Sequence, residues 1–294
     1  MIMFQKKFHT DLAAEARSSY MEQYSKNHTG QIDGVLYTER NEGNIGVSEI
    51  NVLDARGEEA LGKLRGQYIT VSFGDISLMA YEDFSRLCHV CAKEIAKVRD
   101  SIRPDARTLL VCGIGNAAIT SDAIGPNTLS HLTVTHILKE RDRAAFLKSG
   151  FFDVCAISPG VSADTGMNVA DVLRLAVTHT NADIVIAVDA LAAGSKERLC
   201  KTVQISSAGI SPGSGIGNRN TAIDKNTIGV PVIALGVPTV IHSNDLCGYD
   251  KKSSSLPVCP GDIDVQVKKL SMLLGFSVNL AFHKNYPLTE MLLN

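Results

Sequence analysis

Five consecutive segments in the middle of the chain decide its fold. In order they read TLLVCGIG (108–115), LSHLTVTHILKE (129–140), FDVCAISPG (152–160), VADVLRLAVTH (169–179) and ADIVIAVDAL (182–191). The first, third and fifth are unbroken apolar runs, which are typical of strands buried on both faces, and the other two have helical spacing. This β-α-β-α-β order predicts an α/β fold, with a mainly parallel sheet sandwiched by helices.

The apolar core extends on both sides of this central unit. VPVIALGVP (230–238) predicts one more buried strand, and residues 262–283 predict a long closing helix. Residues 81–100 also place apolar side chains at helical spacing, and Pro104 prevents that helix from continuing. These elements would complete the layers of helices around the sheet.

The N-terminal part of the chain has a different pattern. Apolar and polar residues alternate in 34–53 on either side of the turn-like NEGN, which predicts a β-hairpin, and QYITVSF (67–73) predicts another strand. The core would therefore carry an additional N-terminal β-rich segment. The first thirty residues are polar and predict an N-terminal arm.

The composition favours one soluble domain. With 294 residues, of which 45% are hydrophobic and 20% charged, the chain can bury one large core. A net charge of −2 gives no basic field for phosphates, so we expect no direct nucleic-acid partner. The chain has neither an apolar run of about 18 residues nor the apolar centre of a signal peptide, so we expect a cytoplasmic protein without a membrane partner. Seven cysteines, an odd number, predict reduced thiols.

Two aspartates that follow predicted strands are the candidate catalytic residues. In an open α/β sheet, the ligand site lies beyond the carboxyl ends of the strands. Asp122 lies in the glycine-rich loop GIGNAAITSDAIGP (113–126), where it is either functional or a cap of the helix that follows. Asp189 ends the apolar run IVIAV, and an ionised carboxylate that leaves such a strand must be solvated, paired or functional.

Two carboxyl groups that meet can share one proton, because their repulsion raises one pKa while the other group stays ionised. The charged group takes a proton from water as it attacks a peptide carbonyl, and the neutral group assists the oxygen or the leaving nitrogen. The sequence does not assign these roles to the two aspartates. His242, which follows GVPTVI (236–241), either approaches the pair or is a structural or surface histidine.

Other site chemistries have weaker support. GIGN (113–116) is not a GxGxxG dinucleotide loop, and SPGSGIGNRN (211–220) lacks the GK[ST] ending of a P-loop, so its glycines favour a tight turn or close approach of a peptide backbone. No G-x-S-x-G elbow is present. Cys112 is typical of a buried thiol, and Cys88 and Cys91 lie in an amphipathic helical pattern without a second pair at zinc-site spacing. We expect no cofactor and no metal.

Several long motifs resemble the germination proteases of endospore-forming bacteria, and they occur in the same order. They are TDLAAEA (10–16), GIGNAAITSDAIGP (113–126), SPGVSADTG (158–166), IVIAVDALAAGS (184–195), QISSAGISPGSGIGN (204–218) and GVPVIALGVPTV (229–240). The resemblance covers residues 8–243 and, more weakly, the last helix. It implies an endopeptidase with a hydrogenase-maturation-peptidase-like (phosphorylase/hydrolase-like) core.

The resemblance also implies how such an enzyme is made and used. Members of the family degrade small acid-soluble spore proteins in the spore core during germination, and they are made as inactive tetramers that remove their own propeptide. The processing motif matches from His9 to Glu15, which places the cut between Asp11 and Leu12. This division gives a propeptide, 1–11, and a single peptidase domain, 12–294. An acidic residue followed by an apolar one is also the cleavage sequence of the substrates.

The family's two implicated aspartates match Asp122 and Asp189. Gly115 and Asn116 in the GIGN loop, together with His242, are candidate accessory residues. The chain departs from the family at three places. It has a short loop between 246 and 260, it has His242 where the family has an acidic residue, and it has Gly194 where a bulky residue is usual.

Two alternatives stay open beside this interpretation. The peptidases that mature nickel hydrogenases have a similar GxGN loop and strand-end acid, which would make His242 a third metal ligand beside Asp122 and Asp189. A family member that binds spore proteins without cutting them is the second alternative, suggested by the short loop before the last helix.

Overall fold

The predicted β-α-β-α-β unit is present and supplies three neighbouring parallel strands of the sheet. The computed structural model describes residues 10–24, 31–213, 221–247, 255–284 and 286–288. Its strands are β1 (Val35–Glu42), β2 (Ile45–Val52), β3 (Gly66–Ser72), β4 (Thr108–Gly113), β5 (Asp153–Ile157), β6 (Ile184–Ala193), β7 (Thr202–Ser206), β8 (Val232–His242) and β9 (Pro257–Val258).

Helices connect and cover these strands. They are α1 (Ala13–Tyr24), α2 (Ala55–Leu61), α3 (Tyr81–Ile102), α4 (Ile124–Leu129), α5 (His136–Arg141), α6 (Arg143–Ser149), α7 (Ser162–Thr165), α8 (Val169–Thr180), α9 (Lys225–Ile228), α10 (Ser243–Cys247) and α11 (Ile263–Phe282). Short 3-10 turns cover Ile76–Leu78 and Thr120–Asp122.

All the described strands belong to one mixed sheet of nine, in the order β1-β2-β3-β7-β8-β6-β4-β5, with β9 paired to β8. The strands β5, β4, β6 and β8 are parallel to one another, as the unbroken apolar runs predict. The strands β7, β3, β2 and β1 continue the sheet with antiparallel pairs. The α/β prediction and the N-terminal β-rich segment are confirmed, and the sheet is parallel only over the four strands at one end, β8, β6, β4 and β5.

Apolar clusters lie on both faces of the sheet. Helices α3 and α11 cover one face, where they pack against alternate strand residues such as Val111, Ile186 and Leu235. Helix α8 covers the other face, where it packs on the intervening residues, among them Val185 and Ala187. Strand residues alternate between faces, so both sets are buried and the strands read as unbroken apolar runs.

The helical pattern over 129–140 does not form one helix. Helix α4 ends at Leu129 and α5 begins only at His136. Between them, the N–H of Thr133 donates to the side-chain carbonyl of Asn279 in α11, and the N–H of Thr135 donates to the carbonyl of Val154. These tertiary hydrogen bonds replace the bonds that a continuous helix would make.

Two of the elements that were not predicted from the sequence pattern lie close to the candidate aspartates. The N-terminal arm contains the helix α1, and the stretch 202–206 is a buried strand, β7, between β3 and β8. Some predictions lie outside the described residues: His9, with the propeptide residues 1–9, most of the glycine-rich loop 211–220, and the greater part of the short loop before α11.

Candidate active site

Asp122 is held in place by the loop that follows β4. The N–H of Ile114 donates to the carbonyl of Val188 at 2.8 Å, which ties this loop to β6. Gly115 has a φ of +117°, and a Cβ there would lie 2.1 Å from the backbone oxygen of Asp122. A side chain at this position would therefore push the 3-10 turn of Asp122 away from the strand.

The Asp122 carboxylate has one close partner. Its Oδ2 accepts the N–H of Asn116 at 2.6 Å, while the Asn116 side chain donates to Asp164 at 3.1 Å. Partial burial raises the pKa of Asp122 above its ordinary value, and the Asn116 N–H opposes that effect. A hydrogen bond to the charged form favours ionisation, so the Asn116 N–H partly offsets the effect of burial on Asp122.

Asp189 has a different environment. It lies within β6, is 4% exposed, and follows Val185 and Ala187 on the face covered by α8. Burial raises the pKa of Asp189 well above its ordinary value, and the negative charge of Asp122 raises it further, although the Ala190 N–H lowers it. These effects favour the neutral form of Asp189 more strongly than partial burial favours that of Asp122.

The structure brings Asp122 and Asp189 to the same edge of the sheet, where their charges interact. Chemically, the arrangement offers one ionised carboxylate that can accept a proton and one neutral acid that can donate a proton. Gly115 and Asn116 contribute directly, since Gly115 leaves room for the Asp122 turn and the Asn116 N–H binds its carboxylate.

The segment before α1 also reaches this edge. Strand β4 ends at Gly113, whereas its neighbour β6 continues to Ala193. Asp11 lies against the part of β6 that extends past the end of β4. The N–H of Asp11 donates to the Ala192 carbonyl at 3.1 Å, and the Ala192 N–H donates to the Asp11 carboxylate at 2.9 Å. The Asp11 carboxylate also contributes to the raised pKa of Asp189. Leu12, the next residue, is fully buried.

Further contacts fix the two sides of this segment. Glu15 accepts the Gly194 N–H at 2.7 Å and the hydroxyl of Thr10. A Cβ on residue 194 would lie 3.1 Å from the Glu15 carboxylate and 3.3 Å from the Thr10 Cβ. The family resemblance implies a bulky residue at position 194. The glycine found there instead leaves room for Thr10 and Glu15.

Two residues that the sequence reasoning missed bind the carbonyl of Asp11. Lys63 Nζ donates to it at 2.8 Å, and Gln204 Nε2 donates to it at 3.1 Å. Gln204 uses its Oε1 to accept the N–H of Ala13 at 2.7 Å. No local sequence signal marks Lys63. Gln204 is a polar residue inside a strand, and that feature could have drawn attention to it.

The structure separates His242 from Asp189 along β8. Asp189 pairs with Gly236 of β8, whereas His242 lies at the far end of that strand beside Pro257. At about 3.3 Å per residue, this places His242 about 20 Å further along the strand. Within the described ranges, His136, Asp153 and Cys155 form the only group of three metal-ligand types close together.

The cysteines that could have been reactive are buried structural thiols. Cys88, Cys91 and Cys112 are fully buried in the apolar clusters. Burial raises the pKa of Cys91 to about 12 and raises those of Cys88 and Cys112 as well. A neutral thiol is a poor nucleophile, so these residues do not offer cysteine chemistry. None of the helices within the described ranges is long and apolar enough to cross a membrane.

Comparisons with known proteins agree on one family. The family model of the germination proteases matches residues 13–249. Similar curated proteins include the germination proteases of Clostridium acetobutylicum (39% identical) and Clostridium perfringens (32%), each alignment covering 96% of this chain and 97% of the relative. That of Caldanaerobacter subterraneus is 36% identical, with 96% of both chains covered. A solved [NiFe] hydrogenase maturation protease HycI from Thermococcus kodakarensis is 17% identical, covers 62% of this chain and 98% of its own, and has a TM-score of 0.34.

These matches first define the class: the chain is an endopeptidase with an α/β fold. Within that class, it belongs to the germination protease family.

The contact at Gly115 gives a direct test of the loop. Replacing Gly115 with Ala is expected to lower the free energy of unfolding by about 2–4 kcal/mol, because the new Cβ meets backbone and the φ is positive. Urea unfolding would measure the change. Gly261→Ala is the matched control, because a Cβ there meets nothing within 4 Å. Equal midpoints for the two variants would contradict the tight fit.

Proposed function

We propose that this endopeptidase is made as a zymogen that cuts its own Asp11–Leu12 bond, and that the processed enzyme starts the degradation of small acid-soluble spore proteins. In this proposal Asp122 is the general base and Asp189 is the general acid. The observation that carries it is the contrast between the two carboxyl groups. Asp189 is buried within β6, and burial and the charge of Asp122 raise its pKa well above its ordinary value, whereas Asp122 is only partly buried and accepts the Asn116 N–H.

The reaction follows from these two states. Asp122 takes a proton from a water molecule, and the water oxygen bonds to the carbonyl carbon of Asp11. The C=O electron pair moves to oxygen. The bond to the Leu12 nitrogen then breaks as Asp189 gives its proton to that nitrogen, and the oxygen re-forms the carbonyl. The products are a carboxyl group on Asp11 and an amine on Leu12, and proton exchange with water resets the pair.

The position of Asp11 supports this cut. The Asp11 carboxylate accepts the Ala192 N–H, and the Asp11 N–H donates to the Ala192 carbonyl. The charge of Asp11 also contributes to the raised pKa of Asp189. The residue after the cut, Leu12, is buried and so occupies an apolar environment. An acidic residue followed by an apolar one is therefore the sequence that this edge of the sheet accepts, and a spore protein with that sequence would bind in the same way.

The cleavage position gives the first test. Purified full-length protein is expected to convert to a form that begins at Leu12, which mass spectrometry of the intact chain and its released peptide would show. Asp11→Ala removes the carboxylate that Ala192 binds and is expected to slow conversion by about tenfold or more, the value of a charge-assisted hydrogen bond of about 1.5–3 kcal/mol. A first residue other than Leu12 would reject the proposed site.

The substrate requires a separate experiment. Processed protein is expected to cut a small acid-soluble spore protein on the carboxyl side of an acidic residue, and peptide mapping would locate the cut. A bound but intact spore protein would instead favour a non-catalytic binder. The family resemblance extends the proposal to a homotetramer in the spore core, which analytical ultracentrifugation of the zymogen would test for its oligomeric part.

A further inference from the structure

The carbonyl of Asp11 has an unusual pair of donors for a residue that precedes a helix. The first carbonyl of α1 to accept a backbone N–H of the helix is that of Leu12, which binds the N–H of Ala16 at 3.1 Å. The Asp11 carbonyl instead points out of the helix towards Lys63 and Gln204. A charged ammonium group and a side-chain amide therefore both bind the carbonyl of the bond proposed to be cut.

We infer that Lys63 and Gln204 form the oxyanion-binding pair of this peptidase. They would stabilise the negative charge that develops on the carbonyl oxygen of the acidic residue when water attacks it. This inference rests on the proposed cut between Asp11 and Leu12. The two donors lie 2.8 and 3.1 Å from the carbonyl oxygen of the uncut bond, the atom on which the negative charge would develop.

The surroundings of Lys63 support this role. It follows Gly62, which ends α2 in the left-handed conformation with a φ of 62° and turns the backbone. Its Nζ donates to two carbonyl oxygens of the segment before α1, at 2.8 Å from Asp11 and 3.4 Å from Thr10. Burial lowers the pKa of Lys63, and the charges of Asp11 and Glu15 raise it, so the acidic segment itself helps to keep the ammonium charged.

Gln204 has two roles that one substitution can separate. Its Nε2 donates to the Asp11 carbonyl, and its Oε1 accepts the Ala13 N–H at the start of α1. Gln204→Glu keeps the oxygen acceptor and the shape of the side chain but removes the donor. The binding of the oxygen by Lys63 and Gln204 also indicates which atom Asp189 protonates. Because Lys63 and Gln204 bind the oxygen, the proton of Asp189 serves the leaving nitrogen.

The first-order rate of self-cleavage of the full chain tests the inference. Lys63→Met is expected to lower this rate by about 10²–10³-fold, the usual effect of losing one oxyanion donor, and Gln204→Glu by about tenfold or more. Lys63→Arg, which keeps the charge and the donors, is expected to recover most of the loss. Lys196→Met, an exposed lysine, is the matched control and should process at the wild-type rate.

A second measurement separates chemistry from positioning. In the Asp122→Asn background, where the segment remains uncut, hydrogen exchange of residues 190–194 reports whether Asp11 is still docked on Ala192. Unchanged protection in Lys63→Met, together with the slower cleavage in the active background, supports the oxyanion role. Loss of protection, or cleavage at the wild-type rate, overturns it. If cleavage occurs at another bond, the proposed function fails; if Asp122→Asn is inactive but Lys63→Met is fully active, only this inference fails.

Discussion

Replacing Asp122 with Asn is expected to slow self-cleavage by about 10³-fold or more, because the variant loses the group that takes the proton from water. The amide oxygen of Asn can still accept the Asn116 N–H, so the loop keeps its hydrogen bond at 2.6 Å and the fold is retained. The expected result is therefore a stable, full-length protein that does not process.

The measurement is the rate of conversion at several pH values, followed by gel and mass spectrometry. In the wild type, cleavage requires ionised Asp122, so the rate should fall as the pH drops through a pKa that lies above the ordinary aspartate value. Asp171→Asn is the matched control, because Asp171 is an exposed acid on α8. Processing of Asp122→Asn at the rate of this control would remove Asp122 from the mechanism.

The part of the site that could be predicted from sequence is the part encoded locally. Strands β4 and β6 are buried on both faces, so their apolar runs stand out. Asp189 is conspicuous because it is an acidic residue inside the run of β6, which continues as far as Ala193. The loop after a parallel strand must lie at the carboxyl edge, which places Asp122 beside Asp189. Their pairing thus follows from topology.

The remaining features depend on contacts between distant segments. Strand β7 carries Thr, Gln and Ser at alternate positions. All five of its residues are buried because β3 and β8 flank it, the cluster under α3 and α11 covers one face, and Gln204 on the other face binds the segment at the start of α1. Helix α1 has little amphipathic pattern, since its buried apolar residues are Ala13 and Ala14 in its first turn. Lys63 and Gln204 are separated by 141 positions, and they meet because both reach the Asp11 carbonyl.

Replacing Asp189 with Asn is expected to lower the rate of self-cleavage by about 10³-fold or more. The same substitution is expected to make the protein more stable at neutral pH. The second effect follows from linkage. The pKa of Asp189 in the folded protein is well above that of an unfolded aspartate, so between the two values the folded state binds a proton that the unfolded state does not. Stability therefore falls as the pH rises through this window, by up to about 1.4 kcal/mol per pH unit.

Asparagine does not ionise, so the free energy of unfolding of the Asn variant should not fall in this way. Its excess over the protein with Asp189 should grow as the pH rises from about 4 towards the raised pKa. Urea unfolding at a series of pH values would measure it, with Asp122→Asn compared with the Asp122→Asn/Asp189→Asn double variant so that neither protein processes. Burial, the larger cause of the shift, is unchanged in that background. Parallel pH dependences of the two unfolding free energies would contradict a protonated Asp189, and with it the assignment of this residue as the general acid.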